Sequence, residues 1–174
     1  METWMITGVT GFLGPRVEVT LREKGEVEVL PMTREELNFT DEEQVKRVLG
    51  TLHPDVLVHA AAVSDTGACE RDPEGSWKVN VTGVEYLSKA CRENGTKLIF
   101  ASSDQVYTGS EVRTPHREDE ILTPANVYGR EKLEAERIVA NWCPEGVSLR
   151  LTWMYDLPGK LPVKPNFITN IRDA

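Results

Sequence analysis

Met5-Ile6-Thr7-Gly8-Val9-Thr10-Gly11-Phe12-Leu13-Gly14 reads as a short buried strand, a tight glycine turn and the opening of a helix. Glycines let the backbone turn sharply there and come close to a diphosphate. The first helical turn then offers free N–H groups to that diphosphate. Gly8, Gly11 and Gly14 recur every three residues, a wider spacing than the simplest dinucleotide fingerprint. Taken alone, the triplet fits either a nucleotide site or a plain strand-to-helix turn.

The helix expected from Phe12 tolerates Pro15, because first-turn N–H groups have no helical partner. Leu13, Val17 and Leu21 share one face, and Lys24-Gly25 ends the helix. Val27, Val29 and Leu30 suggest a second strand that Pro31 stops, and Met32 to Phe39 read as a loop or a very short element. Thr40-Asp41-Glu42-Glu43 reads as a capping box before a helix whose apolar stripe is Val45, Val48, Leu49 and Leu52. Val56-Leu57-Val58-His59 is a buried strand by composition, followed at once by Ala60, Ala61 and Ala62. Small residues at a strand end allow either tight packing or a flat ligand lying against the backbone. A long helix is expected over 74–94, then a strand Leu98-Ile99-Phe100-Ala101 that ends at Ser102-Ser103. A polar loop over 108–124 leads to a helix from about Ala125 to Trp142, and Val147, Leu149 and Leu151 alternate as in a strand.

Strand and helix therefore alternate, which predicts an α/β fold with a mostly parallel sheet and helices on both faces. Ligands of such sheets bind beyond the C-terminal strand ends, near the point where the strand order reverses. Gly8 to Gly14, Ala60 to Ala62 and Ser102-Ser103 all fall at that edge. Their convergence favours the nucleotide reading of the glycine turn.

Tyr128 and Lys132 stand four apart on one expected helix, so they share a face. A tyrosine is ordinarily too weak an acid to be half-ionised at neutrality, and a nearby ammonium favours its phenolate. The pair suits proton transfer to or from a carbinol oxygen, with the Ser103 hydroxyl holding the same oxygen. A hydride has to come from a cofactor, since no side chain carries one. The same residues also fit a packed tyrosine, a lysine lying along the surface and a serine that caps a turn.

With these residues in view, the chain resembles the extended short-chain dehydrogenase/reductases, and most closely their dTDP-4-dehydrorhamnose reductase branch. Thr7-Gly8-Val9-Thr10-Gly11-Phe12-Leu13-Gly14 is similar to that family's cofactor turn, and Pro54-Asp55-Val56-Leu57-Val58-His59-Ala60-Ala61-Ala62 to its fourth-strand block. Asn80 in Lys78-Val79-Asn80-Val81 falls where the family has a structural and proton-relay asparagine. Ser102-Ser103-Asp104-Gln105-Val106-Tyr107 resembles the active-site strand, with Ser103 at the catalytic Ser/Thr. Tyr128-Gly129-Arg130-Glu131-Lys132 resembles the tyrosine–lysine motif, and Arg150-Leu151-Thr152-Trp153 the segment passing the nicotinamide.

The resemblance implies a Rossmann-like, doubly wound NAD(P)-binding domain over 1–155, with 156–174 as linker and the start of a substrate lobe. It implies Ser103, Tyr128 and Lys132 as catalytic residues. It implies a cofactor contact set of Gly8, Thr10, Gly11, Phe12, Leu13, Gly14, Arg34, Ala60, Ala61, Ala62, Asn80, Ser102, Tyr128 and Lys132. The cofactor is expected to be NADP(H), with NAD(H) as the alternative. The end of strand two offers Thr33 and Arg34 where NAD enzymes carry an acidic residue, and an arginine can accept a 2′-phosphate. Arg34 also fits a solvated loop charge. The implied activity is NADPH-dependent reduction of a 4-keto nucleotide-activated deoxysugar, with Tyr128 as proton donor. Gln105 stands where this branch often has an aromatic residue, which bears on the sugar accepted. Epimerases or dehydratases of the same family, and a non-catalytic subunit like that of methionine adenosyltransferase, are the alternatives. Family members carry a further C-terminal lobe that grips the nucleotide-sugar. This chain by itself is therefore expected to bind cofactor but reduce little, and the interface that lobe would cover is expected to promote homodimers or aggregation.

Composition agrees with a globular domain. The chain has 174 residues, enough for one good core. Its net charge of −8 disfavours nucleic acid backbones and anionic membranes. No apolar run approaches the length of a membrane span, and no secretory leader pattern opens the chain. Cys69, Cys91 and Cys143 are scattered and odd in number, as in a cytoplasmic protein with reduced thiols. His53, His59 and His116 show no metal-ligand spacing.

Overall fold

The computed structural model describes residues 1–111 and 114–155. The expectation for 156–174, a linker and the start of a substrate lobe, lies outside the described residues. Among the described residues five parallel strands run as β1 (Glu2–Thr7), β2 (Val27–Met32), β3 (Val56–His59), β4 (Lys97–Ser103) and β5 (Val147–Leu151). Their order across the sheet is β2-β1-β3-β4-β5. β1 is interior, with Met5 opposite Leu30 on one side and Leu57 on the other. The chain leaves β1 towards β2 and then crosses back to β3, so the strand order reverses beside β1. That reversal opens a crevice at the C-terminal ends of β1 and β3.

Successive strand side chains point to opposite faces, so Met5 and Ile6 can both be buried only if both faces are covered. Met5, Leu57, Leu98 and Phe100 meet α2 (Glu42–Leu52), α5 (Gly83–Asn94) and α6 (Val127–Trp142) through Val45, Leu49, Val84, Leu87, Cys91, Ala135 and Val139. On the other face Ile6, Val29, Val56 and Val58 pack with Val17 and Leu21 of α1 (Leu13–Lys24). The sheet is thus parallel, Rossmann-like and wound on both sides.

The structure departs from the sequence reading in several places. Pro31 lies inside β2 rather than ending it, opposite Ile6. β2 is an edge strand, where a proline is tolerated because one row of N–H groups pairs with nothing. The cap of α2 is Asp41, whose carboxylate accepts the Gln44 N–H at 3.1 Å, while Thr40 turns back to Asn38. The expected 74–94 helix is composite, with α4 (Pro73–Trp77), a π-helical turn Lys78–Thr82 and then α5. A separate short helix, α3 (Thr66–Arg71), precedes it with Asp65 as cap. α6 starts at Val127, capped by Asn126. Among the described residues no helix is long and apolar enough to cross a membrane.

Candidate active site

The glycine turn is built by close backbone approach. Gly8 has φ +76°, and a Cβ there would stand 2.6 Å from the Ala60 carbonyl carbon and oxygen. The C-terminal ends of β1 and β3 therefore touch main chain to main chain. A Cβ on Gly14 would in turn run into the Gly8 carbonyl, and the Gly11 N–H donates to that carbonyl at 2.9 Å. The alanine run packs tightly at Ala60, against Gly8, while Ala61 and Ala62 line an open cavity. α1 begins without a side-chain cap, whereas α2, α3, α4 and α6 each have an Asp or Asn cap. Its first-turn N–H groups stay available to an anion. The Arg16 guanidinium covers the Phe12 ring at 3.7 Å.

A cavity of about 250 Å³ lies over these strand ends, lined by Gly8, Thr10, Thr33, Arg34, Ala61 and Ala62 among others. Leu37, Phe39 and Val63 add an apolar wall. Arg34 is exposed and makes no hydrogen bond or ion pair among the described residues. The nearby Glu36 carboxylate is engaged by the Thr33 N–H and hydroxyl at 2.7 and 2.8 Å, which holds it below the usual carboxylate range. A glycine cradle, an uncapped helix start and an unpaired arginine fit a flat ligand with phosphates.

His59 sits beneath this edge, fully buried. Its Nδ1 pairs with the Thr7 hydroxyl at 2.7 Å, and its Nε2 finds no partner among the described residues. The ring lies between Phe39 and Phe100. Burial holds its conjugate acid down at about 3, with Lys132 adding to the effect, so the imidazole is neutral.

Tyr128 and Lys132 are both buried on the inner face of α6. The Lys132 ammonium donates to the Ala101 carbonyl of β4 at 2.8 Å and lies 4.5 Å from the Phe100 ring centre and 5.7 Å from that of Tyr128. Burial pulls Lys132 down to about 8, while Glu131 and Glu136 work against the fall. Ser103, at the end of β4, accepts the Gln105 N–H at 3.2 Å. It therefore both caps the turn Asp104–Tyr107 and stands beside the tyrosine. The expectation that Lys132 eases ionisation of Tyr128 does not hold. Burial pushes the Tyr128 phenol up to about 12, and the Ser103 hydroxyl opposes this only in part. The lysine is engaged by Ala101, so burial outweighs it.

The structure thus gathers two sets of the expected residues, one around the glycine turn and one around Tyr128. Asn80 stands in the π turn and does not line the cavity. Its amide bonds Val63 N–H and carbonyl at 2.9 and 3.0 Å and Glu131 at 2.7 Å. The Ser102 hydroxyl is taken up by Glu136 at 2.5 Å, and Glu136 in turn receives Arg150 through a two-pronged ion pair at 2.7 and 3.0 Å. Arg150 also reaches the Tyr107 hydroxyl and the Glu118 carbonyl, which ties the 114–120 loop to the sheet edge. Glu131, Ser76 and the Leu37–Phe39 wall carried no sequence signal. A charged residue on a helix reads as solvent-facing until its neighbours are known.

Comparison with known proteins gives this geometry a family. The chain is 34% identical over 169 residues to a dTDP-4-dehydrorhamnose reductase of Streptomyces griseus, covering 97% of this chain and 53% of that protein. A crystal structure of the Bacillus anthracis dTDP-4-dehydrorhamnose reductase in complex with NADP superposes with a TM-score of 0.90 at 26% identity, covering 99% of this chain and 60% of that one. A Thermus thermophilus UDP-glucose 4-epimerase complex with NAD superposes at 0.74 with 27% identity, covering 85% and 54%. The chain spans about half the length of the curated relatives it matches. A family model described as RmlD substrate binding domain matches residues 2–173, and the chain belongs to that family.

Proposed function

We propose that this chain forms the cofactor half of an NADPH-dependent reductase acting on the 4-keto group of a nucleotide-activated deoxysugar such as dTDP-4-dehydrorhamnose. The observation that carries the reading is the buried Tyr128–Lys132 pair with Ser103 beside it, on the same sheet edge as the glycine-cradled cavity. The relatives named above support a reductase over an epimerase, since the fit to the reductase structure is closer. Residues 1–155 make up the cofactor-binding unit in this reading.

Gly8, Thr10, Gly11, Phe12, Leu13 and Gly14 would hold the diphosphate, Arg34 the 2′-phosphate, and Ala60 to Ala62 the adenosine side. Asn80, Tyr128 and Lys132 would flank the nicotinamide ribose, and Ser102 would contribute through its backbone. When bound, the reduced nicotinamide supplies a hydride. Tyr128, kept fully protonated by its burial, gives its hydroxyl proton to the carbonyl oxygen as that oxygen gains charge. Ser103 donates a hydrogen bond to the same oxygen and holds it beside Tyr128. The protein works in the cytoplasm on this reading, and homodimers are compatible with it.

The test is Tyr128→Phe in the complete protein, with ketone reduction followed by loss of NADPH absorbance. Only the transferable proton is removed, so turnover should fall by about 10²–10⁴ while NADPH binding stays near wild type. Wild-type turnover by Tyr128→Phe would overturn the assignment.

A further inference from the structure

Gln105 stands in the turn Asp104–Tyr107 that follows Ser103, where the family resemblance makes it a candidate for choosing the sugar. The structure gives its side chain a different engagement. Its Oε1 accepts from Asn126 Nδ2 at 2.9 Å. The other end of the same Asn126 amide, Oδ1, accepts the Gly129 N–H at 2.7 Å and caps α6. An amide nitrogen cannot accept. Turned over, Asn126 would set its NH2 against the Gly129 N–H and its oxygen against the Gln105 oxygen, and both bonds would be lost. Gln105 therefore selects the orientation in which Asn126 caps the helix.

The main chain of Gln105 reaches the same two elements. Its N–H donates to Ser103 Oγ at 3.2 Å. A Cβ on Gly129 would run into its carbonyl oxygen, so the first turn of α6 lies directly on this residue. That carbonyl is held in place by the Thr108 N–H and hydroxyl, at 3.2 and 2.8 Å. Tyr128 is the residue before Gly129. Gln105 thus touches both the strand end that carries Ser103 and the helix turn that carries Tyr128. The Val127 N–H is bound separately, by Glu70 of α3 at 2.7 Å, and the Arg130 guanidinium holds the Pro124 and Ala125 carbonyls at 3.4 and 3.0 Å. Losing the Gln105 acceptor should therefore loosen the cap without unwinding α6.

We propose that Gln105 is a positioning residue: through the Asn126 cap it seats the first turn of α6, and with it Tyr128, against the strand end that carries Ser103. That Tyr128 and Ser103 act on a carbonyl rests on the reductase reading; the seating does not. Two groups serve one reacting oxygen only when they are held in register. The seating therefore acts on turnover, whereas a residue that chooses the sugar acts on its binding.

Gln105→Met keeps the side-chain length and both main-chain contacts but removes the acceptor, whereas Gln105→Glu keeps an acceptor. Amide hydrogen exchange by NMR on this chain reads the cap. Gly129 should exchange about tenfold faster in Gln105→Met, the worth of one hydrogen bond, and near the wild-type rate in Gln105→Glu. Ala135, in the middle of α6, should be unchanged in both. In an Asn126→Ala background Gln105→Met should add nothing more, because Gln105 acts through Asn126. Wild-type exchange at Gly129 in folded Gln105→Met, or additive effects of the two substitutions, would overturn the proposal. If Gln105→Met does not fold, wild type decides: nuclear Overhauser contacts between the Asn126 side-chain NH2 and the Gln105 side chain are expected, and their absence would equally overturn it.

Ketone reduction by the complete protein reads the consequence. Gln105→Met should lower kcat by about tenfold to a hundredfold and leave KM for the 4-keto sugar near wild type. A raised KM with unchanged kcat would make Gln105 a sugar contact and overturn the positioning role, as would wild-type values of both. A wild-type protein that reduces no 4-keto sugar would sink the reductase reading instead, and the exchange rates would still decide the seating.

Discussion

Replacing Gly8 by alanine should separate the two costs built into the glycine turn. The first is conformational, since an L-residue at φ +76° is disfavoured by roughly 1–2 kcal/mol in the left-handed region. The second is steric. The new methyl would stand 2.6 Å from the Ala60 carbonyl carbon and oxygen, about 1 Å inside ordinary carbon contact. The wall is main chain just past the end of β3, so no rotamer change relieves the overlap, and overpacking of this kind costs about 1–3 kcal/mol. The sum is about 2–5 kcal/mol. Gly25→Ala is the matched control, because Gly25 has φ +68° and nothing within 4 Å of its Cβ position. It should show only the first part, about 1–2 kcal/mol. With an m-value of about 2 kcal/mol per molar urea, the unfolding midpoint should fall by about 1–2.5 M for Gly8→Ala and about 0.5–1 M for Gly25→Ala. Far-UV circular dichroism against urea reads both. If Gly8→Ala is no more destabilised than Gly25→Ala, the main-chain contact between β1 and β3 is not the constraint described here.

Two further outcomes follow from single side chains. Arg34→Ala should weaken NADPH binding by about tenfold, the worth of one charge-assisted bond, and leave NADH binding nearly unchanged; equal losses in fluorescence titrations would remove the 2′-phosphate role. His59 titrates at about 3 when folded against 6.5 when free, so the unfolded chain binds a proton that the folded one refuses. The stability it contributes is therefore complete above about pH 6.5 and is lost as pH falls towards 3, at up to about 1.4 kcal/mol per pH unit. Urea midpoints of His59→Gln should vary less than wild type between pH 7 and 4.5, and parallel profiles would contradict the burial argument.

What could be read in the sequence was local. The strand–glycine–helix opening, the Val56–His59 strand and the helix carrying Tyr128 and Lys132 each declare themselves within a few residues, through turn chemistry and side-chain period. Pro31 was misleading because its tolerance depends on β2 being an edge strand, which is a property of the whole sheet. The π turn at Lys78–Thr82 left no trace in the periodicity, since one extra residue per turn only rotates the stripe. The site was less legible than the fold for the same reason. Lys132 and Glu131 look like surface charges on a helix until β4 and α4 are brought against them. The pairing of Lys132 with Ala101, rather than with the phenol, depends on which groups reach it first in three dimensions.

The proposed role of the crevice where β1 and β3 meet as a dinucleotide cleft is the claim on which everything else depends. Titrating the ¹⁵N-labelled chain with NADP⁺ while following backbone amide signals tests it most directly. Amides of Gly8 to Gly14, Arg34 and Ala60 to Ala62 should shift together along one saturable curve. Those of Gly50 to His53, which end α2 just before β3 begins at the far edge of the sheet, should stay still. NAD⁺ should leave Arg34 less affected. Saturable shifts confined to residues away from the β1–β3 edge, or none at millimolar NADP⁺, would contradict the cleft.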